Sequence, residues 1–115
     1  MGSLLRTVQD EGELETAAKA GISVIYKHSD RCFACRRSLR HLESFAEERP
    51  EIPVYIIDVN DQRALSGRIA ESLGVPHESP QVILLQGGRP VWNGSHFAVT
   101  AVALEKELER LSGNT

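Results

Sequence analysis

The sequence predicts an α/β fold in which a central mixed β-sheet is flanked by helices. Apolar residues at helical spacing alternate along the chain with short β-rich runs, and the last two such runs flank the hairpin signal Gly87-Gly88. Parallel strands need crossover connections, which the intervening helices supply, whereas a hairpin adds antiparallel strands. Since no repeat or linker-like tract divides the 115 residues, we expect a single domain over residues 1–115.

The ends of the predicted helices carry capping and stop signals. Asp10 with Glu13 forms a capping box before the first helix, and Thr100 can cap the last one. Pro50 stops the second helix, and Gly74 closes the third in the usual C-terminal manner. Each stretch between these signals therefore has both a helical apolar stripe and a defined end.

The predicted strands are short β-rich runs, of which residues 54–57 are apolar throughout, as is typical of a strand buried on both faces of a parallel sheet. The resulting order, β-α-β-α-β-α-β-β-α, is the layout of the thioredoxin fold. The expected strands are residues 4–8, 22–27, 54–57, 81–85 and 89–92, and the expected helices are about 10–21, 32–48, 64–73 and 100–111.

The net charge, the apolar runs and the number of cysteines indicate which partners and which cellular location to expect. A formal net charge of −3 at pH 7 leaves no excess of positive charge to neutralise phosphates, so nucleic acid is not an expected partner. No apolar run exceeds four residues, which excludes a membrane span, and the first residues show no signal-peptide pattern, so a cytoplasmic location is expected. Two cysteines are too few for a secreted domain that is stabilised by several disulfides. We expect them to be reactive or metal-binding thiols.

The two cysteines form the motif Cys32-Phe33-Ala34-Cys35 where the second predicted strand gives way to the second helix. A Cys-x-x-Cys motif near a βαβ pattern is typical of a thioredoxin-like redox site. Cys35 falls on the buried helical stripe, four residues before Leu39, whereas Cys32 stands at the N-terminus of the predicted helix. Unpaired N–H groups and the helix dipole stabilise a thiolate there, so Cys32 is predicted to be the nucleophile.

Three arginines, Arg36, Arg37 and Arg40, follow within the first turns of the same helix. Cations at this end oppose the helix dipole, and a local rule broken beside a cysteine suggests function. The alternative interpretation is a solvated face, with Arg40 paired to Glu43.

Three further segments carry a specific pattern: Lys-His-Ser-Asp-Arg-Cys at residues 27–32, Gly-Val-Pro-His-Glu-Ser-Pro-Gln at residues 74–81, and Gly-Arg-Pro-Val-Trp-Asn-Gly-Ser-His at residues 88–96. They resemble the monothiol bacilliredoxins, thioredoxin-fold proteins of bacteria that use bacillithiol in place of glutathione. Members of that family usually carry Cys-Pro-x-Ser at the active site. Cys32 matches the family nucleophile, and Cys35 occupies the position of the serine.

The resemblance implies a thiol-disulfide oxidoreductase. The Cys32 thiolate is expected to attack the mixed disulfide of an S-bacillithiolated protein and to take over the bacillithiol. Cys35 is then expected to resolve the new mixed disulfide and expel bacillithiol, which is a co-substrate. Disulfide-containing proteins and a flavin disulfide reductase are further expected partners, and no bound cofactor or metal is expected.

The resemblance also implies residues that bind substrate. Bacillithiol carries two carboxylates, so its binding site needs cations or helix N-termini close to Cys32. Three cations stand near Cys32 in the sequence, namely Lys27, Arg31 and Arg36. Ser95 and His96 precede the last helix, in the region where glutaredoxins hold their thiol ligand. For each of these residues, an ordinary surface position is the alternative.

A proline that opens the fourth strand is the last predicted component. In thioredoxin-fold oxidoreductases a proline at this position is cis and faces the active cysteine, leaving the backbone of the preceding residue free to bond an incoming partner. Here those residues are Pro80 and Ser79. A proline at the start of a strand is otherwise commonplace.

Three alternative functions stay open. A plain thioredoxin is one, although Tyr26 stands six residues before Cys32, where thioredoxins keep a buried carboxylate. A non-catalytic interaction module is the second. A zinc site is the third, although its histidines lack the paired spacing of a finger. The histidines are His28, His41, His77 and His96.

Overall fold

The computed structural model describes residues 4–19, 21–31 and 33–113, and its elements follow the predicted order. A short 3₁₀ turn, His96–Ala98, precedes the last helix. The strands are β1 Arg6–Thr7, β2 Ile22–His28, β3 Val54–Asp58, β4 Gln81–Gln86 and β5 Arg89–Ser95, and the helices are α1 Glu11–Ala18, α2 Phe33–Glu48, α3 Arg63–Leu73 and α4 Ala101–Gly113.

The strands form one mixed sheet in the order β1-β3-β2-β4-β5. β1, β3 and β2 are parallel, whereas β4 and β5 join as antiparallel strands, as the hairpin signal predicted. In this register Lys27 near the end of β2 lies opposite Gln81, the first residue of β4. The sheet therefore brings the chain after β2 next to the chain before β4.

Two apolar cores, one on each face of the sheet, follow from alternation along the central strands. In β2, Val24 and Tyr26 belong to the core that includes α2 and α4, whereas Ile25 belongs to the core that includes α1 and α3. Leu42 and Leu104 are fully buried on the first face. Helices cover both faces, and both central strands are buried except for one end residue each, Ile22 in β2 and Gln86 in β4.

The predicted caps are present. The Glu13 backbone N–H donates to the Asp10 carboxylate at 2.8 Å, and the Ala103 N–H donates to Thr100 Oγ1 at 3.1 Å. The Glu13 carboxylate reaches back to the backbone N–H of Gln9, one residue before the usual capping-box position. Gly74 ends α3 in the left-handed region at φ 68°, which glycine adopts without strain.

Strand bounds differ most from prediction at the sheet edges. β1 spans two residues, Arg6–Thr7, and β5 extends to Ser95, three residues beyond its predicted end. The extension depends on Gly94, because a Cβ there would lie 2.7 Å from the Trp92 ring, which packs against the core. Among the described helices, none has the length and apolar character needed to cross a membrane.

Candidate active site

The cysteine motif lies at the start of α2. Phe33 is the first residue of this helix, and Cys35 in its first turn has no exposed surface. The prediction that Cys35 lies on the buried stripe is therefore confirmed. Cys32 lies outside the described residues, so its place at the N-terminus of α2 stays a prediction.

The loop before β4 lies against Cys35. Cys35 Sγ is 3.7 Å from Ser79 Oγ, within reach of a hydrogen bond that involves sulfur. The Ser79–Pro80 peptide bond is cis, as the resemblance implied. The resemblance pointed to the backbone of Ser79, whereas its side chain also reaches the motif. Sequence spacing gave no signal for this contact, since the two residues are 44 positions apart.

A chain of polar side chains, which we call the Tyr26 chain, connects α2 with the surface. The fully buried Tyr26 hydroxyl donates to the backbone carbonyl of Cys35 at 3.1 Å and lies 2.8 Å from His28 Nδ1. His28 Nε2 lies 2.8 Å from the carboxylate of Asp30, whose side chain is 80% exposed. Because a carboxylate only accepts, His28 Nε2 carries a proton and donates it.

The Tyr26 hydroxyl lies between two acceptors in this chain. With Nδ1 of His28 bare, the single Tyr26 hydroxyl proton faces two acceptors, Nδ1 and the Cys35 carbonyl oxygen. His28 was predicted only as a candidate zinc ligand. The available signal was the two-residue spacing of Tyr26, His28 and Asp30, which is typical of one strand face.

A second group of side chains, which we call the Lys27 cluster, lies on the opposite face of β2. The fully buried Lys27 ammonium donates to the Ser66 backbone carbonyl at 3.1 Å and lies 3.4 Å from His77 Nδ1. Ser66 Oγ is 3.2 Å from the same nitrogen. Burial lowers the pKa of Lys27. Burial and then the positive charge of Lys27 lower the pKa of His77, outweighing the carboxylate of Glu78.

This position corrects the prediction that Lys27 contacts the thiol ligand. Its ammonium is directed into the α3 side of the sheet and has no exposed surface. The reason is strand alternation: Lys27 follows Ile25 on the α3 face, whereas Tyr26 between them faces α2.

The structure brings the other predicted ligand residues to the end of the sheet that carries Pro80. Ser95 pairs with Gln81 in the sheet, and the His96 backbone N–H donates to the Pro80 carbonyl at 2.9 Å. The His96 ring lies 2.9 Å from the Glu78 carboxylate. His96 and residues of α2, including Ala34, line one small cleft.

Arg31 and Arg36 are both exposed at the start of α2. The Arg36 guanidinium lies over the Phe33 ring, with its central carbon 5.9 Å from the ring centroid. Both side chains are therefore exposed to solvent within four positions of residue 32 in the sequence, in contrast to Lys27.

Each histidine of the suggested zinc site has a hydrogen-bond partner in the protein. His28 bonds within the Tyr26 chain, His77 within the Lys27 cluster, and His96 lies beside Glu78. His41 Nδ1 accepts from the backbone N–H of Ala101 at 3.2 Å. Within residues 4–19, 21–31 and 33–113, no three side chains of His, Cys, Asp or Glu are grouped as a metal site requires.

Known structures share this architecture. One, described as a candidate oxidoreductase with a thioredoxin fold, is 26% identical, with a TM-score of 0.84 over 90% of this chain and 92% of that chain. A thioredoxin variant from Halobacterium salinarum is 23% identical, with a TM-score of 0.76 over 96% and 94% of the two chains. The thioredoxin of Trypanosoma brucei brucei is 15% identical, with a TM-score of 0.76 over 95% and 91%. The predicted thioredoxin fold is confirmed.

A family model agrees with the resemblance seen in the sequence. The model, described as monothiol bacilliredoxin BrxC, matches residues 3–104, which include both cysteines, the Ser79-Pro80 pair and the Ser95-His96 pair. The chain belongs to the monothiol bacilliredoxin family and is a thiol-disulfide oxidoreductase.

Proposed function

We propose that this oxidoreductase removes bacillithiol from S-bacillithiolated cysteines of cytoplasmic proteins. The Cys32 thiolate attacks the bacillithiol sulfur of the mixed disulfide. A new disulfide forms between Cys32 and bacillithiol, and the protein cysteine leaves as a thiolate that takes a proton from water. One disulfide is broken and one is made, so this step involves no net oxidation.

Cys35 resolves the intermediate. After it loses its proton, the Cys35 thiolate attacks Cys32 Sγ, a Cys32–Cys35 disulfide forms, and bacillithiol leaves as a thiolate. Two electrons then return the pair to dithiols, supplied by two molecules of low-molecular-weight thiol or by a flavin disulfide reductase. The observation that carries the proposal is the match of residues 3–104 to the monothiol bacilliredoxin family. The resolving step rests on Cys35, a second cysteine in the first turn of α2, whose Sγ lies 3.7 Å from Ser79 Oγ.

The cations beside the cysteine motif and the residues at the end of β5 would recognise bacillithiol. Its carboxylates would meet Arg31 and Arg36, which are exposed at the start of α2. Ser95 and His96 would contribute from the end of β5, where the His96 N–H donates to the Pro80 carbonyl. Bacillithiol acts as a co-substrate in this scheme, and the chain needs no resident cofactor.

The test uses one model peptide whose single cysteine carries either bacillithiol or glutathione. We expect the reduced protein to release the peptide from bacillithiol faster than from glutathione, and Cys32→Ser to abolish both reactions. Mass spectrometry of the quenched protein identifies the transferred group. Equal rates for the two thiols would contradict specificity for bacillithiol.

Direct reduction of protein disulfides is the second candidate function. The observation that favours it is the dithiol motif itself, because two thiols can together supply the two electrons that reduce a substrate disulfide, and they become a Cys32–Cys35 disulfide in doing so. A peptide with an internal disulfide, mixed with the reduced protein, separates the two candidates. Faster reaction with this peptide than with the bacillithiolated one would favour the general reductase.

A further inference from the structure

We propose that an exposed basic surface on α2 docks substrate proteins whose modified cysteine is flanked by acidic side chains. This surface, the arginine face, consists of Arg36, Arg37 and Arg40 together with the rings of Phe33 and Phe97. The inference rests on the proposed function, because it concerns which proteins are presented to Cys32.

The arginine face is continuous and adjoins the motif. Phe33 and the three arginines line one open groove along α2. Arg37 also lines the neighbouring cleft, which Phe97 of the 3₁₀ turn borders. The face thus extends from Phe33 of the cysteine motif to the turn that follows β5, and a protein bound to it would lie beside the motif.

The three arginines have no acidic partner among the described residues. None of them lies within 4.0 Å of a carboxylate in the described part of the chain, and the suggested pairing of Arg40 with Glu43 is absent. Elsewhere, by contrast, Arg49 holds Glu105 with two nitrogens, at 3.0 Å and 2.6 Å. The first turn of α2 contains no acidic residue either. The helix dipole and the arginines therefore present positive charge together.

The local charge contrasts with that of the whole chain. The formal net charge is −3 at pH 7, so the arginine face is a positive patch on a protein that repels extended polyanions at a distance. Such a patch suits a short acidic segment in a protein better than a nucleic acid.

The aromatic rings add the apolar part of a docking surface. Phe33 is 90% exposed and Phe97 is 82% exposed, more than any other large apolar side chain that the structure describes as exposed. The Arg36 guanidinium stacks over the Phe33 ring. Aromatic rings combined with arginine are typical of the residues that dominate protein interfaces.

The test compares two peptides that each carry one bacillithiolated cysteine, flanked either by Asp and Glu or by Ser and Asn. The variant Arg37→Glu/Arg40→Glu reverses the face but retains Arg36, the arginine assigned to bacillithiol. The matched control, Arg89→Glu/Lys106→Glu, makes the same charge change at exposed positions outside the face. We expect kcat/KM for the acidic peptide to fall about tenfold in the face variant and less than about twofold in the control.

The neutral peptide and a binding measurement separate this inference from the proposed function. With the neutral peptide, the face variant should retain its rate. In a Cys32→Ser background, the acidic peptide in its reduced form should bind more weakly after the arginine reversal, whether or not bacillithiol is the transferred thiol. Equal losses with both peptides, unchanged binding, or tighter binding of a single-stranded oligonucleotide than of the acidic peptide would overturn the proposal.

Discussion

Two polar groups lie back to back at the end of β2, and they are built differently. The Tyr26 chain leads from the exposed carboxylate of Asp30 through His28 to the backbone of Cys35. The Lys27 cluster on the other face holds a buried cation whose described partners are a carbonyl and a histidine, with no carboxylate. Adjacent strand residues thus supply an anchored hydrogen-bond chain to α2 and a buried positive charge to the α3 side.

The difference assigns separate contributions to the two groups. The Tyr26 chain holds the first turn of α2, because its hydroxyl donates to the Cys35 carbonyl. The Lys27 cluster holds the segment before Ser79, because His77 contacts both Lys27 and Ser66. A buried ammonium without an anionic partner is destabilising, so this side of the site is maintained at a cost in stability.

Replacing Cys35 by serine should have the largest effect on the reaction. It tests whether Cys35, in the helical turn held by the Tyr26 chain, resolves the mixed disulfide between Cys32 and bacillithiol. Cys35→Ser should still accept bacillithiol from the peptide, but nearly all of the protein should retain it on Cys32. The wild type should release it and form the Cys32–Cys35 disulfide. Intact-protein mass spectrometry measures both species. A wild type that accumulates the same stable mixed disulfide would show a monothiol cycle.

Cys32 should also be the first cysteine to react with an alkylating reagent. The reason is its predicted place at the N-terminus of α2, whereas Cys35 has no exposed surface. At neutral pH we expect Cys32 to be labelled at least about tenfold faster than Cys35. Peptide mapping after a brief pulse of iodoacetamide measures the ratio. Equal labelling would remove the assignment of Cys32 as the nucleophile.

Tyr26→Phe tests the anchoring directly. It removes a fully buried hydroxyl and leaves the Cys35 carbonyl and His28 Nδ1 with one partner fewer. We expect the free energy of unfolding to fall by about 1–3 kcal/mol. Tyr55→Phe is the matched control, because the Tyr55 hydroxyl has no hydrogen-bond partner among the described residues. Urea denaturation of the two variants should differ clearly. Equal losses would show that the Tyr26 hydroxyl contributes no specific anchoring.

Much of the fold was predictable because its signals are local. The Asp10 cap, the Gly74 helix end and the Gly87-Gly88 hairpin each depend on a few consecutive residues, and all are present. The pattern around Pro80 was likewise recognisable in the sequence. Short-range physics is thus sufficient for the order of the elements and for the location of the motif.

The contacts of the site were less predictable because they join distant parts of the chain. Lys27 was expected at the surface, but its neighbours Ser66 and His77 are 39 and 50 residues away. Strand alternation could have placed Lys27 on the face of Ile25, but it does not reveal which helix covers that face. The absent pair of Arg40 and Glu43 shows the converse, because favourable helical spacing alone does not make an ion pair.

Lys27→Met tests the other group of the comparison. Burial lowers the pKa of Lys27 in the folded protein, so the unfolded chain binds more protons between that lowered value and the ordinary one. The free energy of unfolding of the wild type should therefore rise with pH in this window. Methionine removes the titration, and we expect the variant to be more stable than the wild type by about 1 kcal/mol at neutral pH.

The pH dependence distinguishes charge from packing in this experiment. The advantage of Lys27→Met should shrink as the pH rises through the window, because the wild-type lysine then loses its proton in both states. Lys106→Met, at an exposed position of α4, is the control for general effects of the substitution. A difference between Lys27→Met and wild type that stays constant from neutral to alkaline pH would show that packing, not charge, determines it.

Asp30→Asn should have the smallest effect, because it changes only the exposed end of the Tyr26 chain. An asparagine oxygen can still accept from His28 Nε2, and a contact whose carboxylate partner is 80% exposed contributes little. We expect a loss of about 0.5 kcal/mol or less, comparable to that of Glu78→Gln, which removes the charge from the exposed His96 contact. Chemical denaturation of both variants measures this. A several-fold larger loss of stability for Asp30→Asn would mean that the Asp30 carboxylate holds the buried His28 in place. The Tyr26 chain would then depend on the charge of Asp30 as well as on the Tyr26 hydroxyl.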